Sequence, residues 1–86
     1  MEIKMSEIIL ARLKEMLAKE LNLEIEKIRE DSKLADDLGA DSLDTAELAM
    51  QIKDEFNYDL TDEEIVNIKT VDDLVRAIST GMVKKT

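Results

Sequence analysis

Asp36-Asp37-Leu38-Gly39-Ala40-Asp41-Ser42-Leu43-Asp44 decides how the rest of the chain is read. Gly39 supplies the backbone freedom for a turn, and Asp41 or Ser42 is suited to cap the helix whose apolar periodicity begins directly after it. The stretch therefore displays one hydroxyl, that of Ser42, between a turn and a helix start. The sequence reads Ser42 as a group to be modified by another protein and not as a nucleophile of this one.

Downstream, the helix is predicted from about Ser42 to Phe56. With Leu43 at 0° and an advance of about 100° per residue, Thr45, Leu48, Ala49, Ile52 and Phe56 gather near 200°, which makes them the core face. Glu47, Met50 and Asp54 return to the Leu43 side. Single exposed apolar residues are ordinary, but Leu43 and Met50 share their face with carboxylates and follow Ser42 immediately. That is the pattern of a docking patch with an apolar centre and a polar rim.

Further along, Asn57-Tyr58-Asp59-Leu60 reads as a turn. Thr61 with Glu64 forms a capping box for a short helix over about Asp62 to Asn67, with Ile65 and Ile68 able to point inward. Thr70 caps a last helix whose Val71, Leu74, Val75 and Ile78 follow the i, i+3, i+4, i+7 pattern, and Gly81 is expected to end it. The tail through Lys84-Lys85-Thr86 is expected to be mobile.

Upstream, Ser6 is the expected cap of a first helix reaching about Leu21, with Ile9, Leu13, Met16, Leu17 and Leu21 inward and Arg12, Lys14, Glu15 and Lys19 outward. Met1 to Met5 are expected to fray. From Asn22 to Gly39 the pattern loosens into a long connection, with Ile25, Ile28, Leu34 and Leu38 as anchors and a short turn opening at Asp31-Ser32. A connection of that length is unusual in a small domain unless it shapes a site. The expected fold is all-α: a small four-helix bundle with three longer helices, a short third one, and a long connection between the first and second. One domain spans residues 1–86, with 1–5 and 82–86 frayed.

Composition narrows the function. A chain of 86 residues buries only roughly 60% of its unfolded surface, which leaves little room for a large internal active site. Hydrophobic residues make up 44% and charged residues 38%, as in a folded helical domain and unlike a disordered one. Phe56 and Tyr58 are the only aromatics, so the core must be aliphatic and no platform for stacked bases exists. The net charge of −9 argues against nucleic acid and anionic membrane surfaces as partners. Cys and His are absent, which removes disulfides, thiolate nucleophiles, an imidazole base and ordinary zinc sites. No apolar run approaches the roughly 18 residues of a membrane span, and the N-terminal residues do not resemble a signal peptide, so the cytoplasm is the expected location and no membrane insertion is expected.

The charge is also uneven. Residues 31–64 hold twelve acids against Lys33 and Lys53, a segment charge of −10. Carboxylates at helix starts complement the helix dipole. Asp54 and Glu55, near the end of a helix, do not, and an acidic face there suits the steering of basic partners.

Asp37 through Thr45, Glu47-Leu48, Glu55-Phe56, Asp62-Glu63-Glu64 and Thr70-Val71, in this helix order, resemble the acyl carrier proteins of fatty acid synthesis. The resemblance covers essentially the whole chain as far as Ile78. It implies that Ser42 receives a covalent 4'-phosphopantetheine from a separate phosphopantetheinyl transferase, with Asp41 helping to hold the metal used in that transfer. It further implies that fatty acid synthesis enzymes and acyltransferases with basic patches read a face made of Asp37, Leu43, Asp44, Glu47, Met50 and Asp54. The acyl chain would slip between the helices, against Leu48, Ala49, Ile52, Phe56, Ile65, Ile68 and Leu74. No catalytic residue and no resident metal are implied, and a monomer is expected.

Lys53 stands where the family usually has an acid, Thr61 where it often has proline, and Ala46 and Ala49 where larger aliphatics are common. Lys53 keeps open a specialised carrier for a polyketide, lipopeptide or other dedicated acyl product, and the two alanines leave the preferred chain length open. An unmodified acidic helical interaction module, with Ser42 only a cap, is the alternative from another class. A calcium loop fails on spacing: with Gly39 sixth, Leu34 and Thr45 would stand first and twelfth, and neither is a carboxylate. An enzyme in its own right finds no general base among these residues.

Overall fold

The computed structural model describes residues 4–84, with side chains described as far as Gly81. Four α-helices follow one another: α1, Met5–Leu21; α2, Ser42–Phe56; α3, Asp62–Asn67; and α4, Val71–Lys84. A single 3-10 turn, Ile25–Lys27, lies in the connection between α1 and α2. Among the described residues there is no strand, only an isolated antiparallel bridge between Lys33 and Thr70. The four-helix arrangement, with its short third helix and long first connection, is the one read from the sequence.

The core is aliphatic. Ile9, Leu13, Met16 and Leu17 of α1 pack with Leu48 and Ile52 of α2 and with Val71, Leu74, Val75 and Ile78 of α4. Phe56 and Tyr58 only flank this cluster, half-buried. Helix α3 buries none of its residues fully; Ile65 within it and Ile68 at its C-cap are half-buried, and Ile68 packs against the core.

The long connection has a mechanical role. Ile28, Leu34 and Leu38 are buried in the core as anchors, whereas Ile25 opens the 3-10 turn and stays exposed. The connection also supplies acceptors to the first turn of α4, whose N–H groups lack partners within the helix. Val71 N–H donates to the Ser32 carbonyl at 3.1 Å and Asp72 N–H to the Glu30 carbonyl at 2.8 Å. Leu34 N–H donates in return to the Lys69 carbonyl at 2.9 Å. Ser32 is itself buried, with its hydroxyl accepting the Arg29 N–H at 2.9 Å. The segment that looked irregular in sequence is thus bonded to the start of α4, and its far end is carried to the start of α2.

Three expectations about the ends of elements change. Helix α1 begins at Met5 with Lys4 as its cap residue, so Ser6 lies inside the helix and caps nothing. The stretch expected to fray, residues 1–5, overlaps the helix at Met5, with Lys4 as its cap residue, and Met1 to Ile3 lie outside the described residues. Gly81 does not end α4, which continues to Lys84; the glycine is buried beneath the Tyr58 ring. Lys85 and Thr86 lie outside the described residues. The α1 and α2 C-termini are instead closed by Asn22 and Asn57, both left-handed at φ 56° and 54°, a conformation that asparagine tolerates better than most residues.

Candidate functional site

The turn before α2 is set by two features. Gly39 adopts φ +75°, in the region where a side chain is strained. Ahead of it, residues 33–38 coil on themselves, with Asp37 N–H bonding the Lys33 carbonyl and the Asp37 carboxylate accepting the Lys33 N–H at 2.8 Å. Asp37 therefore has a local structural task besides its place on the acidic surface.

Asp41, not Ser42, caps α2. Its Oδ1 accepts the Asp44 N–H at 2.9 Å, and Asp44 Oδ2 accepts the Asp41 N–H at 3.1 Å, a reciprocal capping box. Thr45 Oγ1 adds a bond to the Asp41 carbonyl at 3.0 Å. Ser42 is the first helical residue, exposed, and its hydroxyl has no hydrogen-bond partner among the described residues. The alternative in which Ser42 serves only as a cap loses its structural basis, because two aspartates perform that work. The hydroxyl is left free at a fixed backbone position.

Beyond Ser42 opens a pocket of about 750 Å³ between α2, α3 and the long connection. Leu34, Ala40, Ala46, Ile65 and Ile68 form its apolar walls. Ser42, Thr45, Thr70, Lys33 and Lys69 also line it, together with Asp36 and Asp73. Asp73 is committed to α4: its Oδ2 accepts the Lys69 and Thr70 N–H groups at 2.9 and 3.0 Å, while Thr70 Oγ1 accepts the Asp73 N–H at 3.1 Å. Those backbone donors, Lys69 first, hold the Asp73 carboxyl below its ordinary 3.8.

Of the seven residues expected to line an acyl cavity, Ile65 and Ile68 line this pocket. Leu48, Ile52 and Leu74 are closed into the core, and Ala49 and Phe56 are half-buried away from its walls. The difference comes from the shoulder of α2. At about 100° per residue Ala46 falls near 300°, between the core face and the outer face. Its single methyl leaves space against Ile65, and the small size of Ala46 was the sequence signal for it. The contributions of Leu34, Ala40, Lys33 and Lys69 depend on how the connection folds back, which no periodicity announces.

The outer face of α2 carries Leu43 and Met50, exposed at 68% and 69%. Glu47 and Asp54 are exposed beside them and bond no described residue. Asp44 is half-buried and engaged in the cap. Glu55, counted with the acidic surface in the sequence, pairs instead with Arg12 and ties α2 to α1. Lys53 pairs with Asp59 at 3.0 Å. Val66 of α3, exposed at 74%, adds an apolar side chain that the sequence reading did not single out. No three carboxylates among the described residues converge to hold a metal ion, and no helix among them is long and apolar enough to cross a membrane.

A free hydroxyl at a helix start, backed by an apolar pocket in a four-helix bundle, has the features of a domain that bears a prosthetic arm. The family model described as a phosphopantetheine attachment site matches residues 11–78. An acyl carrier protein of Wolinella succinogenes is 47% identical over 69 residues, 80% of this chain and 91% of that protein. Among solved structures, one from Mycobacterium tuberculosis assigned to the acyl carrier proteins superposes with a TM-score of 0.78 at 28% identity, covering 83% of this chain and 95% of that one. The chain belongs to the acyl carrier protein family. Its role is to carry acyl groups on a covalently attached phosphopantetheine.

Proposed function

We propose that Ser42 is the attachment residue and that the acyl groups carried are fatty acyl intermediates. One observation carries the reading: Ser42 is exposed and its Oγ unbonded at the first position of α2, because Asp41 and Asp44 have taken over the capping, and it lines the apolar pocket. When attached, the arm supplies the terminal thiol that this cysteine-free chain lacks and holds acyl groups as thioesters.

The chain's own residues do the rest. The capping box fixes the direction in which Ser42 leaves the helix. Asp41 keeps Oδ2 unbonded beside Ser42, available to the metal a transferase brings. With no His in the chain, Ser42 has no imidazole base beside it, so a phosphopantetheinyl transferase supplies activation and the chain acts as a carrier, not as an enzyme. Leu43 and Met50 enter apolar depressions on fatty acid synthesis enzymes and acyltransferases, while Asp37, Asp44, Glu47 and Asp54 face their basic patches. Exposed ion pairs contribute about 0–1 kcal/mol each, a strength that lets a shuttle leave each enzyme. Ile65, Ile68 and Ala46 receive the acyl chain, each buried CH₂ stabilising by about 0.8 kcal/mol. The carrier works as a monomer in the cytoplasm.

Mass spectrometry after incubation with coenzyme A and a phosphopantetheinyl transferase tests this. A single adduct on Ser42 is expected, absent in Ser42→Ala with helix content retained. A wild-type chain that gains no adduct overturns the proposal. Comparing loading with malonyl and longer acyl groups against polyketide-type starters separates a fatty acid carrier from a specialised one.

A further inference from the structure

We propose that Lys33 and Lys69 form a two-ammonium seat for the phosphodiester of the arm on Ser42, holding the root of the arm against the rim of the pocket; the inference rests on Ser42 being the attachment residue. Both lysines line the same pocket as Ser42. They come from different segments brought together by backbone bonds: Lys33 bridges Thr70, and Leu34 N–H bonds the Lys69 carbonyl at 2.9 Å. This pairing keeps the two lysine backbones on neighbouring segments at the pocket, with Lys33 set opposite Thr70, the residue after Lys69.

Their ammonium groups are uncommitted. Every hydrogen bond described for Lys33 and Lys69 runs through the backbone, to Asp37, Asp73 and the connection. Lys53, the other cation within residues 31–64, is paired with Asp59. Lys33 is thus the one cation without an ion pair in a segment whose net charge, Lys33 included, is −10. A phosphodiester placed on Ser42 adds another negative charge to this field, and two flexible ammonium groups at the pocket can offset it.

The competing anions lining the pocket are Asp36 and Asp73. Asp73 is occupied by two backbone N–H donors at 2.9 and 3.0 Å. Asp36 is exposed and does not bond either lysine. The phosphodiester has an advantage over any diffusing anion, because its bond to Ser42 gives it a high effective concentration at the seat. The carboxylate of a dicarboxylic cargo would be the other candidate, but it sits at the far end of a long flexible arm, whereas the phosphate is fixed one bond from Oγ.

NMR of the apo and holo protein at low salt tests the seat, with complete loading confirmed by mass. The Lys33 and Lys69 side-chain ammonium resonances are expected to shift on conversion to holo, with Lys14 and Lys19 unmoved, and the shifts to collapse as salt is raised. In holo Lys33→Gln/Lys69→Gln the phosphorus resonance is expected to move to the position of a free phosphodiester, with helix content kept because the backbone bonds at both residues remain. If wild type loads and the two ammonium signals stay put, or move only once a dicarboxylic acyl group is added, the seat is overturned while the Ser42 reading stands. If wild type gains no adduct, the Ser42 reading itself fails.

Discussion

The aromatic ring of Tyr58 occupies the space where a side chain on Gly81 would begin. The glycine is buried within α4, and a methyl built on it overlaps the ring carbons. The ring is also fixed from its other end, where Tyr58 Oη donates to Glu64 Oε2 at 2.5 Å. Glu64 in turn accepts the Thr61 N–H at 3.0 Å and closes the capping box of α3. The contact therefore ties α4, the turn after α2 and the start of α3 into one unit.

Gly81→Ala is expected to destabilise the fold. Alanine gains about 0.5–1 kcal/mol over glycine within a helix, but forcing atoms into a filled site costs about 1–3 kcal/mol. The sign should reverse once the ring is removed: in a Tyr58→Ala background the same Gly81→Ala change stabilises. Urea denaturation of the four chains in this double-mutant cycle is the measurement. A Gly81→Ala change that stabilises the wild type would show that the ring does not hold its place.

The same bond makes Tyr58 an alkaline reporter. Its phenol is pushed up to about 12 from 10.0, chiefly by the hydrogen bond to Glu64, with burial and the Glu64 charge adding to it. The folded state thus favours the neutral phenol. The stability this contributes is fully present below 10.0 and is lost as pH rises through about 12. As Tyr58 is the only tyrosine and Trp is absent, tyrosinate absorbance reads one group. Glu64→Gln is expected to bring the midpoint down towards 10.0. An unchanged midpoint would refute Glu64 as the cause.

Much of this structure was legible in the sequence because periodic and capping signals act locally. The Thr61 and Glu64 box, the helix over Asp62–Asn67 and the outward pair Leu43 and Met50 all lie where spacing placed them. Gly81 illustrates the limit. Its local signal is a helix stop, and the reason it stands in α4 is a ring 23 positions away in sequence. Leu34 and Lys69 illustrate another, since a pocket assembled from α2, α3 and a folded-back connection has no period of its own. Ser42 was marked by its neighbours, but whether it or Asp41 caps α2 depended on side-chain geometry that residue type leaves open.

Asp44 and Glu47 look equivalent in the acidic stretch and are not equivalent in the structure. Asp44 bonds the Asp41 N–H, whereas Glu47 bonds nothing described. Asp44→Ala is expected to cost about 0.5–1.5 kcal/mol of stability, the loss of its hydrogen bond to the Asp41 N–H, while Asp41 still caps the helix. Glu47→Ala should stay within about 0.5 kcal/mol. In transferase loading at low salt, both substitutions are expected to slow association, and raising the salt should narrow the difference from wild type. Denaturation curves alongside loading rates separate the two effects. Equal stability loss in both variants would contradict the separate roles.

Ala46→Leu tests whether the pocket behind Ser42 is the one the acyl chain uses. Leucine at this shoulder of α2 would fill space now bounded by Ala46, Ile65 and Ile68. The added carbons cover apolar surface, so the apo protein is expected to lose little stability or to gain some. Ser42 stays exposed and loading by the transferase should proceed. What should disappear is the extra stability conferred by a long acyl chain, because each methylene denied burial forfeits about 0.8 kcal/mol. Thermal unfolding of wild type and Ala46→Leu, each carrying a short and a long acyl group, gives the comparison. Wild type should gain stability with chain length and the variant should not. If the two respond alike, the acyl chain takes another route into the bundle, past Leu48 and Ile52 and not past Ala46.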